Sequence, residues 1–426
     1  IILLNAGILK KAQMKFKILA ICLLSGITSM ARHSLPMDAG QYLECVMSSN
    51  IALAGERLNI DISRAEAMAA KVFNDPGLSL EYANNDDHRM QMGQSFAAEL
   101  SYAFEPGRRG ARIRLAESEQ ELADALFADY LRNLRFEALC AFYEAQKARD
   151  LYELSAEMAR LATEVARGDS LRLEIGEIGE TAAIQTSIDA RMARADAASA
   201  RTDYFAACVA LNSFTGLRGT DTICEPSGTA LLSRRKINAA SLADEAIENR
   251  ADLQAALKDV TVARRALTVE QKERNMDFEV AVGYNYNTEV RNEIAPAPRF
   301  SGMSIGLSIP LKFSNSNKGA VTAARLRVEQ AELAYTKACN EIRGEVAVAC
   351  NSYETAFDIL EDYPQSLIAT SQDVLGQYSE LYSRGDVSLL EYKEMRQSQT
   401  DLRTAYIEAR TNAAIAAAAL DHARGK

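Results

Sequence analysis

The chain has 426 residues and a net charge of −10, with 3 histidines, 8 prolines, 22 glycines and no tryptophan. Such acidity argues against a nucleic-acid partner, and so few histidines without a dense Cys/His tract argue against a His-rich zinc enzyme. With 48% hydrophobic residues the sequence folds, and its scarcity of helix breakers implies long uninterrupted elements.

Met14-Lys15-Phe16-Lys17, an apolar run over residues 18–24 and Ser29-Met30-Ala31 have the basic, apolar and small-x-small parts of a secretory signal peptide. Residues 1–31 are therefore expected to be a leader, with 1–13 upstream of a start at Met14. The apolar run falls short of the ~20 residues that a membrane-spanning helix needs. Ile21 stands before Cys22 where lipid attachment wants a small residue. Six further cysteines follow: Cys45, Cys140, Cys208, Cys224, Cys339 and Cys350. Cys339 and Cys350 are about 16 Å apart on a helix, too far to bridge. Cys208 and Cys224 are free to pair, but all six read most simply as small buried hydrophobes.

Four segments alternate strictly between apolar and polar or small residues, in two pairs. The first carries Leu78, Leu80 and Tyr82; the second Phe96, Ala98, Leu100, Tyr102 and Phe104. The third carries Met276, Phe278, Val280, Val282, Tyr284 and Tyr286, and the fourth Met303, Ile305, Leu307, Ile309 and Leu311. Period two puts each set on one face of a strand. Strands of about ten residues with aromatics near their ends suit a membrane β-barrel better than a soluble hairpin. Pro310 is expected near a strand end or bulge. Polar loops run from Asn84 to Gln94 and from Thr288 to Arg299.

The remainder reads as helix, most clearly over 108–166 and 317–383, with Leu115, Leu122, Leu126, Tyr130 and Leu134 as a coiled-coil-like seam. Arg167-Gly168-Asp169 and Arg384-Gly385-Asp386 read as the turns that end the long helices, Gly closing one helix and Asp opening the next. Leu100-Ser101 recurs as Leu307-Ser308, and Gly110-Ala111 as Gly319-Ala320. The chain is thus a duplication. The first repeat covers 32–215 (strand pair 78–105, helical hairpin 108–215). A linker or equatorial region covers 216–240 with Gly216, Gly219, Pro226 and Gly228, and the second repeat covers 241–426 (strand pair 276–312, helical hairpin 317–422).

Three motifs carry a family resemblance. They are Phe104-Glu105-Pro106-Gly107-Arg108-Arg109-Gly110-Ala111-Arg112; Gly306-Leu307-Ser308-Ile309-Pro310-Leu311 followed by Phe313, Asn315, Asn317, Lys318 and Gly319; and Asn249-Arg250-Ala251-Asp252-Leu253. Over residues 45–422 the sequence resembles the TolC-type outer-membrane efflux protein family, nearest its CzcC-like heavy-metal branch. Ala251 replaces a usual proline and Pro106 a usual glycine. The resemblance implies an α+β membrane protein with long helical hairpins forming a periplasmic α-barrel. Four transmembrane strands per chain would form a 12-stranded barrel as a homotrimer, since four strands alone leave open edges in lipid. It also implies an outer-membrane location and a passive duct joined to a periplasmic adaptor (membrane fusion) protein and an inner-membrane RND pump. No cofactor, no catalytic residue and no bound metal is implied. Heavy-metal cations are the expected cargo; a drug or type I protein secretion duct and, in another class, a periplasmic scaffold are the alternatives.

Glu81, Glu99, Glu105, Asp277 and Glu279 are expected to line the lumen, opposed by Lys312, as carboxylate rings that favour cations, although lumen positions need only be polar. Arg167, Gly168, Asp169, Arg384, Gly385 and Asp386 are placed by the resemblance at the adaptor-docking periplasmic tip, with Asp386, Glu391 and Glu394 as candidate gate residues. Acids in a first helical turn also simply complement the helix dipole. Asp86-Asp87-His88 has metal-ligating side chains but reads as a solvated loop.

Overall fold

The computed structural model describes residues 33–89, 91–217, 222–229, 232–311 and 317–426. The expected leader with Cys22, the linker's Gly219, and Lys312, Phe313 and Asn315 lie outside the described residues. In chain order the first elements are β1 (His33–Met37), α1 (Ala39–Ser49), α2 (Ile51–Ala69), β2 (Gly77–Asn84), β3 (Gln94–Phe104), α3 (Arg108–Glu174), α4 (Glu180–Thr215) and β4 (Thr222–Pro226). Then follow α5 (Ala239–Asn249), α6 (Ala251–Lys272), β5 (Phe278–Asn287), β6 (Phe300–Ser308), α7 (Lys318–Glu361), α8 (Gln365–Arg384) and α9 (Leu389–Ala423). They fall into two compact units, one built from the chain up to Ser48 with Glu144–Thr229, the other from Ser49–Tyr143 with Ala230–Lys426.

In the first unit β1 and β4 pair in parallel. Asn212 of α4 holds β4 by donating to the Thr222 carbonyl (2.7 Å) and accepting from the Cys224 amide (3.0 Å). The Tyr42 hydroxyl of α1 donates to the Leu211 carbonyl at 3.2 Å. Tyr42, Val46, Leu211, Cys208 and Cys224 are buried together with these bonds satisfied. Cys208 and Cys224 are free thiols, their pKa pushed up to about 11 by burial. The segment 216–240 thus contains a strand, not only a linker.

The second unit holds the four-stranded sheet and an apolar cluster. Ala246 of α5 and Leu253 of α6 pack with Ile342, Val346, Tyr353 and Phe357 of α7 and with Ala413 and Leu420 of α9. Those α7 residues recur at helical spacing, so one stripe of a 44-residue helix is covered. Of the expected seam on α3, Leu134 is buried but Leu126 is 54% exposed.

The duplication extends further than the strand pairs. Helices α1 and α2 begin at Ala39 and Ile51, and α5 and α6 begin at Ala239 and Ala251, 200 residues on. Each repeat is therefore two short helices, two strands and a long hairpin.

Three expectations need correction. The first long helix does not stop at Arg167-Gly168-Asp169; α3 runs through it to Glu174. A single glycine inside a helix costs only about 1 kcal/mol, and Gly168 is absorbed among good helix formers. Asp169 is 1% exposed, with Arg172 one turn on at 3.6 Å. The turn lies at Gly176, whose φ is +77°. The second long helix is interrupted: α7 ends at Glu361 and α8 begins after Pro364 at φ −65°, ψ 145°, because a proline forbids helical geometry at the residue before it. Finally, β6 covers Phe300–Ser308, so the fourth strand stops short of Ile309 and Leu311, and Pro310 lies just past its end, in keeping with the expectation for that proline.

Candidate functional site

The sheet has order β2-β3-β5-β6 with every pair antiparallel. Directly opposed residues share a face, so the register sorts the side chains. Leu78, Leu100, Val282 and Ile305 form one row, and Leu80, Ala98, Tyr284 and Met303 the next. On the reverse face stand the rows Glu81-Ala97-Asn285-Gly302 and Ser79-Glu99-Gly283-Ser304, and then Ala103-Glu279-Ser308. The apolar face is bare: Leu78, Leu80, Met303 and Ile305 are all more than 60% exposed. Stacked Phe104 and Phe278 (5.1 Å), with Tyr102 edge-on to Phe104 (4.7 Å), close that face at its helical end. The reverse face crowds small residues, and a Cβ at Gly283 would stand 2.5 Å from Ser304 Oγ and 3.8 Å from Glu99 Oε2.

Glu81, Glu99 and Glu279 therefore share one face, as alternation requires. Glu105 and Asp277 continue the same alternation but differ in being paired. Both lie just outside their strands, and each is neutralised: Arg112 pairs with Glu105, and Arg108 donates to Asp277 at 2.8 Å while also engaging Glu273. The charge of Arg108, mostly buried at the start of α3, draws these acids into a brace between β3–α3 and α6–β5. On the same corner the Asn275 side chain donates to the Pro106 carbonyl at 3.2 Å.

The helical turns share one geometry. In the first unit the Glu177 amide donates to the Arg172 carbonyl (2.8 Å) and the Gly176 amide to the Leu173 carbonyl (3.0 Å). In the second unit the Asp386 amide donates to Leu381 (2.9 Å) and the Gly385 amide to Tyr382 (3.1 Å). Each is a Schellman cap with its glycine in the left-handed region, at φ +77° and +84°. Gly176 precedes Gly385 by 209 residues, the spacing that also separates Gly110 from Gly319. That shared spacing was the signal for the first turn, whereas the two Arg-Gly-Asp tripeptides, 217 apart, match by chance.

Beyond Gly385, Ser388 caps α9 in a reciprocal box with Glu391. The Ser388 backbone and hydroxyl hold the Glu391 carboxyl below its usual range, so this acid has a local capping duty. Asp386 and Glu394 are exposed. Tyr382 and Tyr392 stack at 5.4 Å beneath the turn.

The Asn249-Arg250-Ala251-Asp252-Leu253 motif sits in a buried belt that the sequence flagged without a role. Arg250, 3% exposed, donates to Asp252 (2.6 and 3.1 Å), to Glu345 (2.6 Å) and to the Ala423 carbonyl (3.3 Å). Burial works to raise the Asp252 pKa, but its bond to Arg250 and the charges of Arg132 and Arg250 outweigh it and the net shift is downward. His422 stacks on Phe136 and meets Asn133 Oδ1 at 2.8 Å. Burial, then the charges of Arg132 and Arg250, lower its pKa to about 4.

Among the described residues no group of three His, Cys, Asp or Glu could hold a metal ion, and Asp86, Asp87 and His88 are exposed in the β2–β3 loop. No helix among them is long and apolar enough to cross a membrane. One two-faced antiparallel sheet with a bare apolar side, contributed by two repeats that each continue into a capped helical hairpin, defines the class by fold: a four-stranded sheet with long helical extensions. An outer membrane efflux protein family model matches residues 242–426. The cobalt-zinc-cadmium resistance protein CzcC of Cupriavidus metallidurans is 23% identical over 395 residues, 92% of this chain and 90% of that protein. Among solved structures, CusC matches with a TM-score of 0.72 at 17% identity, over 94% of this chain and 95% of that one. The CmeC outer membrane channel of Campylobacter jejuni matches at 0.70 and 14% identity, over 91% and 85%. CusC and CmeC are channel proteins.

Proposed function

We propose that the protein is the outer-membrane duct of a three-part efflux assembly, passing heavy-metal cations from an inner-membrane RND pump and a periplasmic adaptor to the exterior. The observation that carries this reading is the sheet's division into one bare apolar face and one face of small, hydroxyl and acidic residues. Edge strands β2 and β6 are each paired on one side only among the described residues, and open edges are untenable in lipid. Three copies supply twelve strands, an even number that closes around a pore.

The cargo reading draws on the cobalt-zinc-cadmium resistance relative and on Glu81, Glu99 and Glu279. In a trimer each becomes a ring of carboxylates that concentrates cations without binding them tightly. Adaptor docking falls to the capped turn at Arg384-Gly385-Asp386 and, by its equal geometry, to Gly176-Glu177. Asp386 and Glu394 are the remaining gate acids.

Crosslinking in detergent should yield three chains in a membrane-derived fraction. A stable monomer or dimer without membrane association would refute the assembly. Deleting the gene should sensitise cells to zinc, cobalt or cadmium more than to bile salts or antibiotics, and the reverse pattern would assign the duct to drugs.

A further inference from the structure

Just before β2 the chain leaves α2 through Met68, Lys71, Val72 and Phe73. Met68, Val72 and Phe73 are each about two-thirds exposed, at 65%, 65% and 64%. A cation is laid on this patch: the Arg109 guanidinium lies 3.8 Å from the Phe73 ring centroid and donates to the Lys71 carbonyl. Among the described residues no carboxylate reaches Arg109, unlike its neighbours Arg108 and Arg112. Lys272, at the end of α6, lays its side chain over Gly107, 3.6 to 3.9 Å from where a Cβ would stand. It too has no carboxylate partner among the described residues. So the bend from β3 into α3 carries Arg109, with no carboxylate partner among the described residues, at the exposed apolar corner, and Lys272 of α6 lies over Gly107 of the same bend.

The position of this corner selects its partner. Phe73 is four residues before Gly77, where β2 begins, and Leu78 on the bare face follows at once. The patch therefore adjoins, along the chain, the strand that carries the apolar face, and Arg109 lies five residues after Phe104 of the aromatic pair at the helical end of that face. An aromatic, aliphatic side chains and cations at the edge of an apolar band match a membrane interface, where the cations face lipid phosphates. We infer that the α2–α3 corner, centred on Phe73 and Arg109, binds the headgroup of an anionic phospholipid while Met68, Val72 and Phe73 enter the acyl boundary. This rests on the membrane placement of the sheet proposed above.

The test uses the purified full-length protein in detergent with added phosphatidylglycerol or phosphatidylcholine, reading thermal stability and lipid retained by native mass spectrometry. Phosphatidylglycerol should stabilise the wild type and be retained over phosphatidylcholine. Arg109→Gln should cut that preference roughly fivefold, and Phe73→Ser should cut it too, with trimer content unchanged. Inorganic phosphate should not reproduce the effect. Equal response to both lipids, full preference in Arg109→Gln, or an effect reproduced by phosphate would overturn the inference. So would loss of trimers without loss of preference in Phe73→Ser, which would make the patch a contact between copies. Membrane flotation of the same variants separates the two readings: protein that floats but lacks the preference sinks only this inference, whereas protein that never floats sinks the placement as well.

Discussion

Alanine substitution at three glycines should give effects of opposite sign. Gly176 and Gly385 sit at φ +77° and +84°, where a β-carbon costs about 1 kcal/mol. Gly168 lies inside α3 with helical φ, where alanine is favoured over glycine by about 1 kcal/mol. No atom stands within 4 Å of a Cβ built at Gly168 or Gly176, so neither comparison is confused by a clash within the chain. The same substitution, made eight residues apart on one hairpin, should therefore differ by about 2 kcal/mol per chain. Urea unfolding of the detergent-solubilised protein, followed by helical circular dichroism, would measure this. Gly168→Ala should move the midpoint up, and Gly176→Ala and Gly385→Ala should move it down; Gly176→Asn should lose less, since asparagine tolerates the left-handed region. If Gly168→Ala destabilises as much as Gly176→Ala, then the helix does end at the Arg-Gly-Asp tripeptide and the reassigned turn is wrong.

Three further outcomes follow from the sheet and the belt. Because His422 is held near pKa 4 against 6.5 unfolded, the unfolded chain takes up its proton first. The resulting stability is complete above about pH 6.5 and is lost as pH falls through about 4. After allowing for the half-exposed ring the loss is about 2 kcal/mol, and melting against pH in wild type and His422→Gln should lose that slope in the variant. Gly283→Val should disrupt the β5–β6 register, since its Cβ would meet Ser304 Oγ at 2.5 Å; heat-modifiable mobility in gels should reveal a misassembled sheet, and Gly283→Val/Ser304→Ala should recover part of it. Leu100→Arg, at the centre of the bare face, should cost about 2–4 kcal/mol in lipid and deplete the membrane fraction, whereas Glu99→Gln on the reverse face should insert normally.

The strands were legible because alternation at period two is a local property. Once Leu100 and Val282 are assigned outward, Glu99 and Glu279 must point the other way. The helices were legible for a similar reason, their composition being almost free of breakers. Their ends were not. Gly168 and Gly176 look alike in sequence, and only cooperative hydrogen bonding along α3 decides that the first is tolerated and the second is used. The repeat spacing of 209 residues held the answer, but a tripeptide match at 217 concealed it. That Glu105 and Asp277 are paired was not legible, because polarity alone does not show that Arg112 and Arg108 reach them. The Arg250 belt was visible as a motif, yet its partners Glu345 and the Ala423 carbonyl come from helices nearly a hundred or more residues away.

The interruption at Asp362–Pro364 makes the two long hairpins mechanically unequal. In the first repeat α3 is a continuous strut of 67 residues. In the second, α8 is a separate arm of 20 residues hung from a joint whose backbone bonds are already those of a turn. Bending α3 by the same angle would strain its helical hydrogen bonds, whereas turning α8 about Pro364 involves the turn bonds of Asp362 and Tyr363. An arm of that size is about 30 Å long, so a swing of about 10° at the joint carries Gly385 through about 5 Å. The continuous helix α3 has no such joint, and any widening or narrowing at the Gly385 end combines rotation at Pro364 with flexing of α9, the 35-residue helix that returns from that end.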